Sequence, residues 1–178
     1  MHVLESYAAD TRLKLDKPFV YQKYFPLTID KFITIHQDYR NPADVYDFWS
    51  SATSILIPHL EKQGIKMIQI GSPKDTLIKG CIDLRGRTEI GQFAYVINNS
   101  LLHLSSDTYS QHIASALGKK IVSLFSSNRP SNTGPYWSSD EDTISLTPHF
   151  KDGMLPTYSP SQQVNKKVIN TINPEDIA

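Results

Sequence analysis

The stretch SSDTYSQHIASALGKKIVSLFSS, residues 105–127, decides the fold of this 178-residue chain. It contains, in order, the end of a strand, the start of a helix, a run of small helical residues, a glycine stop at Gly118 and a second buried strand at residues 121–125. Strand, helix and strand in this order form the repeating unit of parallel sheets. The stretch therefore predicts an α/β fold with a polar turn, Asp107-Thr108, at the carboxyl end of a strand.

Outside this stretch, strand-like and helix-like segments continue to alternate. We predict strands at residues 32–36, 66–70, 81–84, 101–105, 121–125 and 144–146. We predict helices at residues 45–63, 89–98 and 108–117, and a further helix around residues 163–170. This alternation predicts a Rossmann-like three-layer α/β/α domain with a mainly parallel sheet and helices on both faces.

The chain is expected to divide into three parts. Residues 32–147 form the Rossmann-like domain. Residues 1–31 contain Pro18 and Pro26 among several aromatic residues, and we predict that they form a connector packed on this domain. Residues 148–178 are predicted to be a C-terminal extension.

Composition excludes several classes of protein. Lysine and arginine together number 18, and so do aspartate and glutamate, so the chain has no basic field for a nucleic acid partner. The single cysteine, Cys81, rules out an internal disulfide framework and suits a reducing compartment. The sequence contains no long apolar run and no signal-peptide pattern. We therefore expect a cytoplasmic protein without a transmembrane segment.

Motif spacing argues against metal and cofactor chemistry. The six histidines are scattered, and neither HExxH nor CxxC occurs. A GxGxxG turn after the first strand, a GxxxxGK[ST] loop and a GxSxG elbow are also missing. We expect no metal and no bound cofactor, and we can name no catalytic residue.

Polar turns follow four of the predicted strands, at the edge where open parallel sheets bind ligands. These turns contain Gln37, Tyr39 and Arg40; Gly71 and Ser72; Gly86, Arg87 and Thr88; and Asp107 and Thr108. The helix after Thr108 adds Ser110, Gln111 and His112, and the unpaired N–H groups of its first turn can hold an anion. Each residue also has a simpler interpretation: Asp107 as a helix cap, His112 as a core histidine, Arg40 as a surface charge.

Residues 107–126 resemble glycosyltransferase family nine, the ADP-heptose-dependent heptosyltransferases of lipopolysaccharide synthesis and their relatives. That family carries Asp, then Thr or Ser, Gly, one or two small or apolar residues, His and a run like IAAALGKPVVALFG. Here the same frame holds Asp107, Thr108, His112 and IASALGKKIVSLFS. Residues 82–107 also align, with a G-x-T turn at Gly86-Arg87-Thr88. The chain departs at Tyr109, where the family usually has Gly, and at Lys120, where it usually has Pro.

The resemblance implies the nucleotide-sugar-binding lobe of a B-type glycosyltransferase fold. It implies that Asp107, Thr108 and His112 orient the donor and that the N–H groups of Ser110 and Gln111 meet its phosphates. Arg40 would balance charge as the diphosphate leaves. The final INPEDIA resembles the start of the family's last helix, here truncated. The acceptor would then need another lobe or a partner chain, and we expect no useful transfer without it. If turnover did occur, the base would be sought among Asp38, Asp107 and His112.

Two other functions remain open at this stage. A non-catalytic binding or assembly module would keep the same fold, and Tyr109 in place of glycine favours it, because glycine lets a diphosphate approach the backbone closely. A generic doubly wound domain with an unrelated small ligand explains the sheet but not the match at residues 107–126.

Overall fold

The computed structural model describes residues 1–38, 40–148 and 167–178. Its helices are α1 (Val3–Thr11), α2 (Trp49–Glu61), α3 (Ile90–Asn99), α4 (Tyr109–Ala116), α5 (Pro130–Thr133) and α6 (Pro174–Ile177). Its strands are β1 (Phe32–His36), β2 (Lys66–Gln69), β3 (Ile82–Asp83), β4 (His103–Ser106), β5 (Ile121–Leu124) and β6 (Thr143–Leu146). Short 3-10 turns cover Pro42–Asp44, Asp140–Asp142 and Val168–Thr171.

The six strands form one sheet in the order β3-β2-β1-β4-β5-β6, and every neighbouring pair is parallel. The predicted Rossmann-like α/β fold is confirmed, and all six predicted strands are present to within two residues at either end. The chain order reverses between β1 and β4, which places these two strands at the centre.

Alternating strand residues supply two separate cores, one on each face of the sheet. Ile33, Ile35 and Met67 point to one face, where Trp49 of α2 and Ile177 of α6 cover them. Phe32 and Ile68 point to the other face, where α3 and α4 cover them. Both faces of the central strands are therefore buried, and β1 is buried at all five positions.

Some predicted element bounds are wrong. The helix expected from residue 45 begins at Trp49, because Pro42–Asp44 forms a 3-10 turn and the Tyr46 hydroxyl donates to the carbonyl of Ile172 at 2.7 Å. The helix expected around residues 163–170 lies partly outside the described residues, and Val168–Thr171 is a 3-10 turn. Residues 167–178 also contribute Ile169 and Ile172 to the core.

The first 31 residues differ from a simple connector. They contain α1, whose start is fixed by a capping box between His2 and Glu5. After α1, Phe25, Leu27 and Ile29 pack against the core, whereas Phe19 is 90% exposed. The aromatic residues before Phe25 therefore contribute less to packing than the sequence suggests.

Candidate functional site

The carboxyl ends of β1 and β4 enclose a crevice where the strand order reverses. A cavity of about 270 Å³ lies at this point. Its lining consists of Asp38, Arg40, Asn41, Asp44, Ser106, Asp107 and Thr108. The structure thus brings three of the predicted site residues, Arg40, Asp107 and Thr108, to one place.

The loop after β1 is organised by Asp38. The backbone N–H of Arg40 donates to Asp38 Oδ1 at 2.9 Å, and Nε of the Arg40 side chain donates to Asp38 Oδ2 at 2.7 Å. The Thr108 hydroxyl also donates to Oδ2, at 3.2 Å, which ties this loop to the start of α4. Burial works to raise the pKa of Asp38, but the hydrogen bonds from Arg40 outweigh it and the pKa is lowered. Asp38 is therefore ionised at neutral pH and holds Arg40 in place.

The amino end of α4 faces this crevice. Its N-cap is Thr108, so the interpretation of Asp107 as the cap is wrong. Within the described chain the Thr108 side chain makes no capping bond to the helix and donates to Asp38 instead. The Gln111 N–H, expected to meet a phosphate, already donates to the carbonyl of Thr108 at 3.2 Å. The N–H groups before it in the first turn have no acceptor within the helix, so they are the donors that this turn offers to an anion.

The Asp107 carboxylate already has three donors. Gln111 Nε2 donates to Oδ1 at 2.6 Å, while Asn128 Nδ2 and Thr133 Oγ1 donate to Oδ2 at 2.8 and 3.1 Å. Burial raises the pKa of Asp107, although the bonds from Asn128 and Thr133 oppose this. Asp107 therefore fastens the loop after β5 to α4.

The other predicted residues of α4 do not line the cavity. The Ser110 hydroxyl lies 2.9 Å from Nε2 of His103, whose Nδ1 lies 2.9 Å from the Thr34 hydroxyl. Burial lowers the pKa of His103 to about 3, so this ring is neutral. His112 is half-buried, and burial lowers its pKa as well. The His103 bonds anchor α4 to β1 and β4.

The turns after β2 and β3 contact each other, but none of their predicted site residues lines the cavity. The N–H of Gly86 donates to the carbonyl of Gly71 at 2.7 Å, and the N–H of Ser72 donates to Asp75 Oδ2 at 2.7 Å. Gly71 has a φ of +133° and sits so close to Asp75 and His36 that a Cβ would clash with both. Arg87 is exposed and Thr88 is half-buried.

Aromatic rings from β1, α3 and α4 contact one another at this edge of the sheet. The Tyr109 ring lies 5.1 Å from the His36 ring and 5.3 Å from the Phe93 ring, centroid to centroid. The guanidinium carbon of Arg40 lies 5.7 Å from the Tyr109 ring centroid. His36 Nε2 approaches Asp75 Oδ2 at 3.7 Å, but burial lowers the pKa of His36 to about 4, so the pair is not ionic at neutral pH.

Sequence reasoning missed several residues of the site. Asn41 and Asp44 line the cavity, and Ser126 donates its hydroxyl to Asp44. Asn41 and Asp44 follow β1 in the same turn as Arg40, so their position after a strand was the signal that could have identified them. Asn128 and Thr133 reach Asp107 from a loop more than 20 residues away, which no local pattern reveals. Tyr39 and residues 149–166 lie outside the described part of the chain.

Comparison with known families identifies the chain. The model of glycosyltransferase family 9 (heptosyltransferase) matches residues 48–153, more than half of the sequence. The chain belongs to glycosyltransferase family 9. A search of curated proteins found no significant match.

Solved structures show the same fold. The glycosyl transferase family 9 protein of Veillonella parvula is 17% identical with a TM-score of 0.66, and the match covers 97% of this chain and 47% of that one. E. coli ADP-heptose lps heptosyltransferase II is 22% identical, with a TM-score of 0.56 and coverages of 67% and 39%. E. coli heptosyltransferase WaaC with ADP is 14% identical, with a TM-score of 0.55 and coverages of 70% and 40%. Our chain therefore spans less than half the length of these relatives.

Two further observations bear on the predictions. Among the described residues, no helix has the length and apolar character needed to cross a membrane. In the same part of the chain, no group of three or more His, Cys, Asp or Glu side chains is arranged to hold a metal ion.

Proposed function

We propose that this chain binds a nucleoside diphosphate sugar across the carboxyl ends of β1 and β4, for transfer of the sugar to a glycan or lipid-linked acceptor. The observation that carries the proposal is the convergence of Arg40 and the first turn of α4 at the switch-point crevice of a family 9 domain. A guanidinium and free helix N–H groups are the donors that a diphosphate needs. The structural relative whose description includes ADP supports the same ligand class.

The charges along this edge of the sheet favour different positions for the phosphates and for the sugar of the donor. The cavity itself is lined by Asp38, Asp44 and Asp107 against one cation, Arg40, so a phosphate inside it would face carboxylates. We therefore place the diphosphate at Arg40 and the amino end of α4, and the sugar hydroxyls against the carboxylates, which accept hydrogen bonds. The joined turns at Gly71, Ser72, Gly86, Arg87 and Thr88 then lie toward the nucleoside.

Calorimetric titration with ADP, UDP, GDP and their sugars tests the proposal. We expect saturable binding of at least one of them and a loss of about 1.5–3 kcal/mol of binding free energy in Arg40→Gln, since a charge-assisted contact is removed. Arg12→Gln, at the end of α1, is the matched control and should bind as the wild type does. Unchanged affinity in Asp107→Ala and His112→Ala would remove these two residues from the donor site.

The second candidate is a non-catalytic module that keeps the fold for binding or assembly. Tyr109 favours it, because the resembled family usually has glycine at this position and the ring narrows access to the backbone. The two functions separate in an assay of nucleoside diphosphate release with and without candidate acceptors, run with the chain and any acceptor-binding partner. Acceptor-dependent release supports the transferase, and donor binding without release under all conditions supports the module.

A further inference from the structure

The Tyr109 ring lies beside Arg40 at the start of α4 and packs on two buried side chains. As the first residue of α4, it carries a side chain where the resembled family has none. His36 and Phe93, which are 2% and 3% exposed, support the ring through contacts at interplanar angles of 66° and 32°. The phenol is neutral at physiological pH, because burial raises its pKa. Two ring contacts therefore hold the phenol in place, while 38% of the residue remains exposed.

Arg40 lies between the Tyr109 ring and Asp38. Its guanidinium carbon is over the Tyr109 ring at 5.7 Å from the centroid, within the range of a cation–π contact. Its Nε donates to Asp38 at 2.7 Å, and Asp38 is itself held by the Thr108 hydroxyl. The Arg40 side chain is still 64% exposed, so a ligand at the amino end of α4 can reach it. The ring and the carboxylate together fix the cation beside the first turn of the helix.

We propose that Tyr109 is a positioning residue that aims Arg40 at the diphosphate. The ring narrows the approach of a phosphate to the backbone of α4, and the guanidinium, which the same ring orients, adds a charged side-chain contact to those from the N–H groups of that turn. Tyr109 thus offsets a weaker backbone contact with a side-chain contact at this site. This inference rests on the proposed function, since it concerns how the same nucleoside diphosphate is held.

The inference predicts energetic coupling between the two side chains, which a double-mutant cycle measures. We would titrate wild type, Tyr109→Leu, Arg40→Gln and the double variant with whichever of ADP, UDP and GDP binds best. Inorganic pyrophosphate and the free nucleoside serve as probes for the two ends of that ligand. Tyr109→Phe, which keeps the ring, is the conservative control. Circular dichroism and thermal unfolding verify each fold, and Tyr109→Met replaces Tyr109→Leu if the latter does not fold.

Tyr109→Leu should weaken binding of the diphosphate and of pyrophosphate by about 2- to 30-fold, the range of a cation–π contact, and leave nucleoside binding unchanged. Tyr109→Phe should bind like the wild type. In the Arg40→Gln background, Tyr109→Leu should have no further effect. An equal loss with and without Arg40, or tighter binding in Tyr109→Gly than in wild type, overturns the inference while the proposed function stands. If no nucleoside diphosphate binds the wild type, the proposed function and this inference fail together.

Discussion

Asp107 lies at the amino end of α4, and its carboxylate accepts hydrogen bonds from Gln111, Asn128 and Thr133. A half-buried carboxylate that accepts several hydrogen bonds stabilises the loop that supplies the donors. The residue's first role in this fold is therefore to hold the loop after β5 against the helix that faces the crevice. Any contact with a donor substrate would be made by a carboxylate that this network already positions.

We expect Asp107→Ala to lower the free energy of unfolding by about 1–3 kcal/mol, because it removes hydrogen bonds to a charged, half-buried carboxylate. Urea denaturation measures this, with Asp30→Ala as a control because Asp30 is exposed. A variant as stable as the wild type would show that the network contributes nothing. Ligand contact would then be the remaining role for the Asp107 carboxylate.

Two buried neutral histidines make stability depend on pH. Burial lowers the pKa of His36 to about 4 and that of His103 to about 3, whereas an unfolded histidine titrates near 6.5. Below pH ~6.5 the unfolded chain gains protons that the folded chain does not. The stabilisation from these neutral histidines is therefore fully present above this pH and declines as the pH falls toward 4. Each histidine contributes a slope of up to about 1.4 kcal/mol per pH unit.

Urea denaturation between pH 7 and pH 4 measures that slope, and comparison with His103→Gln isolates one histidine. Asp107, whose pKa burial raises, acts in the opposite direction but is present in both proteins, so it cancels in the comparison. The variant is expected to be less stable at neutral pH yet to show a shallower decline. Parallel pH profiles would mean that His103 is protonated in the folded chain.

At the residue scale, position after a strand was the signal that led to Arg40 and Thr108, which line one cavity. Their partners could not be predicted. Asp38 joins Thr108 across 70 positions, and His103 joins Thr34 across 69, through contacts that exist only once β1 and β4 pair. Local patterns identify the end of a strand, whereas the side chains that meet there depend on strand order.

At the scale of elements, the turns after β2 and β3 form one unit. Gly71 and Gly86 both have positive φ and are joined by a backbone hydrogen bond of 2.7 Å. A Cβ on Gly71 would lie 2.2 Å from Asp75 Oδ2 and 2.6 Å from His36 Cδ2. The turn therefore requires glycine both for its backbone conformation and for its packing.

Replacing Gly71 with alanine should destabilise the fold by more than the same change at Gly64. Gly64 also has a positive φ, +70°, but nothing lies within 4 Å of its Cβ position, so Gly64→Ala should cost only the conformational penalty of about 1–2 kcal/mol. Gly71→Ala adds the clash with His36 and Asp75 to a strained φ. Thermal unfolding of the two variants compares these costs directly. Equal melting temperatures would contradict the close packing around Gly71.

The sequence predicts strands better than helix starts, for a physical reason. Buried parallel strands are continuous apolar runs between turn residues, and β1 was predicted with the bounds that the structure has, Phe32–His36. Helix starts depend on caps and on tertiary contacts. Thus α2 begins at Trp49 although helical spacing extends earlier, and α1 was missed because a histidine N-cap is not a strong helix signal.

At the scale of the whole molecule, the alternation of elements was enough to predict a parallel sheet, but not the order of its strands or the position of the N-terminal helix. His2 lies in contact with the loop after β5, where its Nε2 is 3.0 Å from the carbonyl of Gly134. That contact spans 132 positions in the sequence and depends on the complete fold.

We expect the 178-residue chain alone to show no useful acceptor-dependent sugar transfer, because it spans less than half the length of its solved relatives. General-base assistance is typically worth about 10²–10⁴-fold, and placement of the acceptor is worth more. An assay of nucleoside diphosphate release, with light scattering to establish that the chain is monomeric, measures this. Robust turnover by the monomer would contradict the expectation and direct the search for a base to Asp38, Asp107 and His112.

The central claim is that a diphosphate binds at Arg40 and the first turn of α4. Backbone amide chemical shifts, followed by NMR during titration with ADP and separately with adenosine, test it most directly. We expect ADP to cause its largest shifts at Arg40 and at residues 108–111, and adenosine to leave these amides nearly unchanged. Diphosphate-dependent shifts confined to other parts of the chain, or none at all with any nucleoside diphosphate, would contradict it.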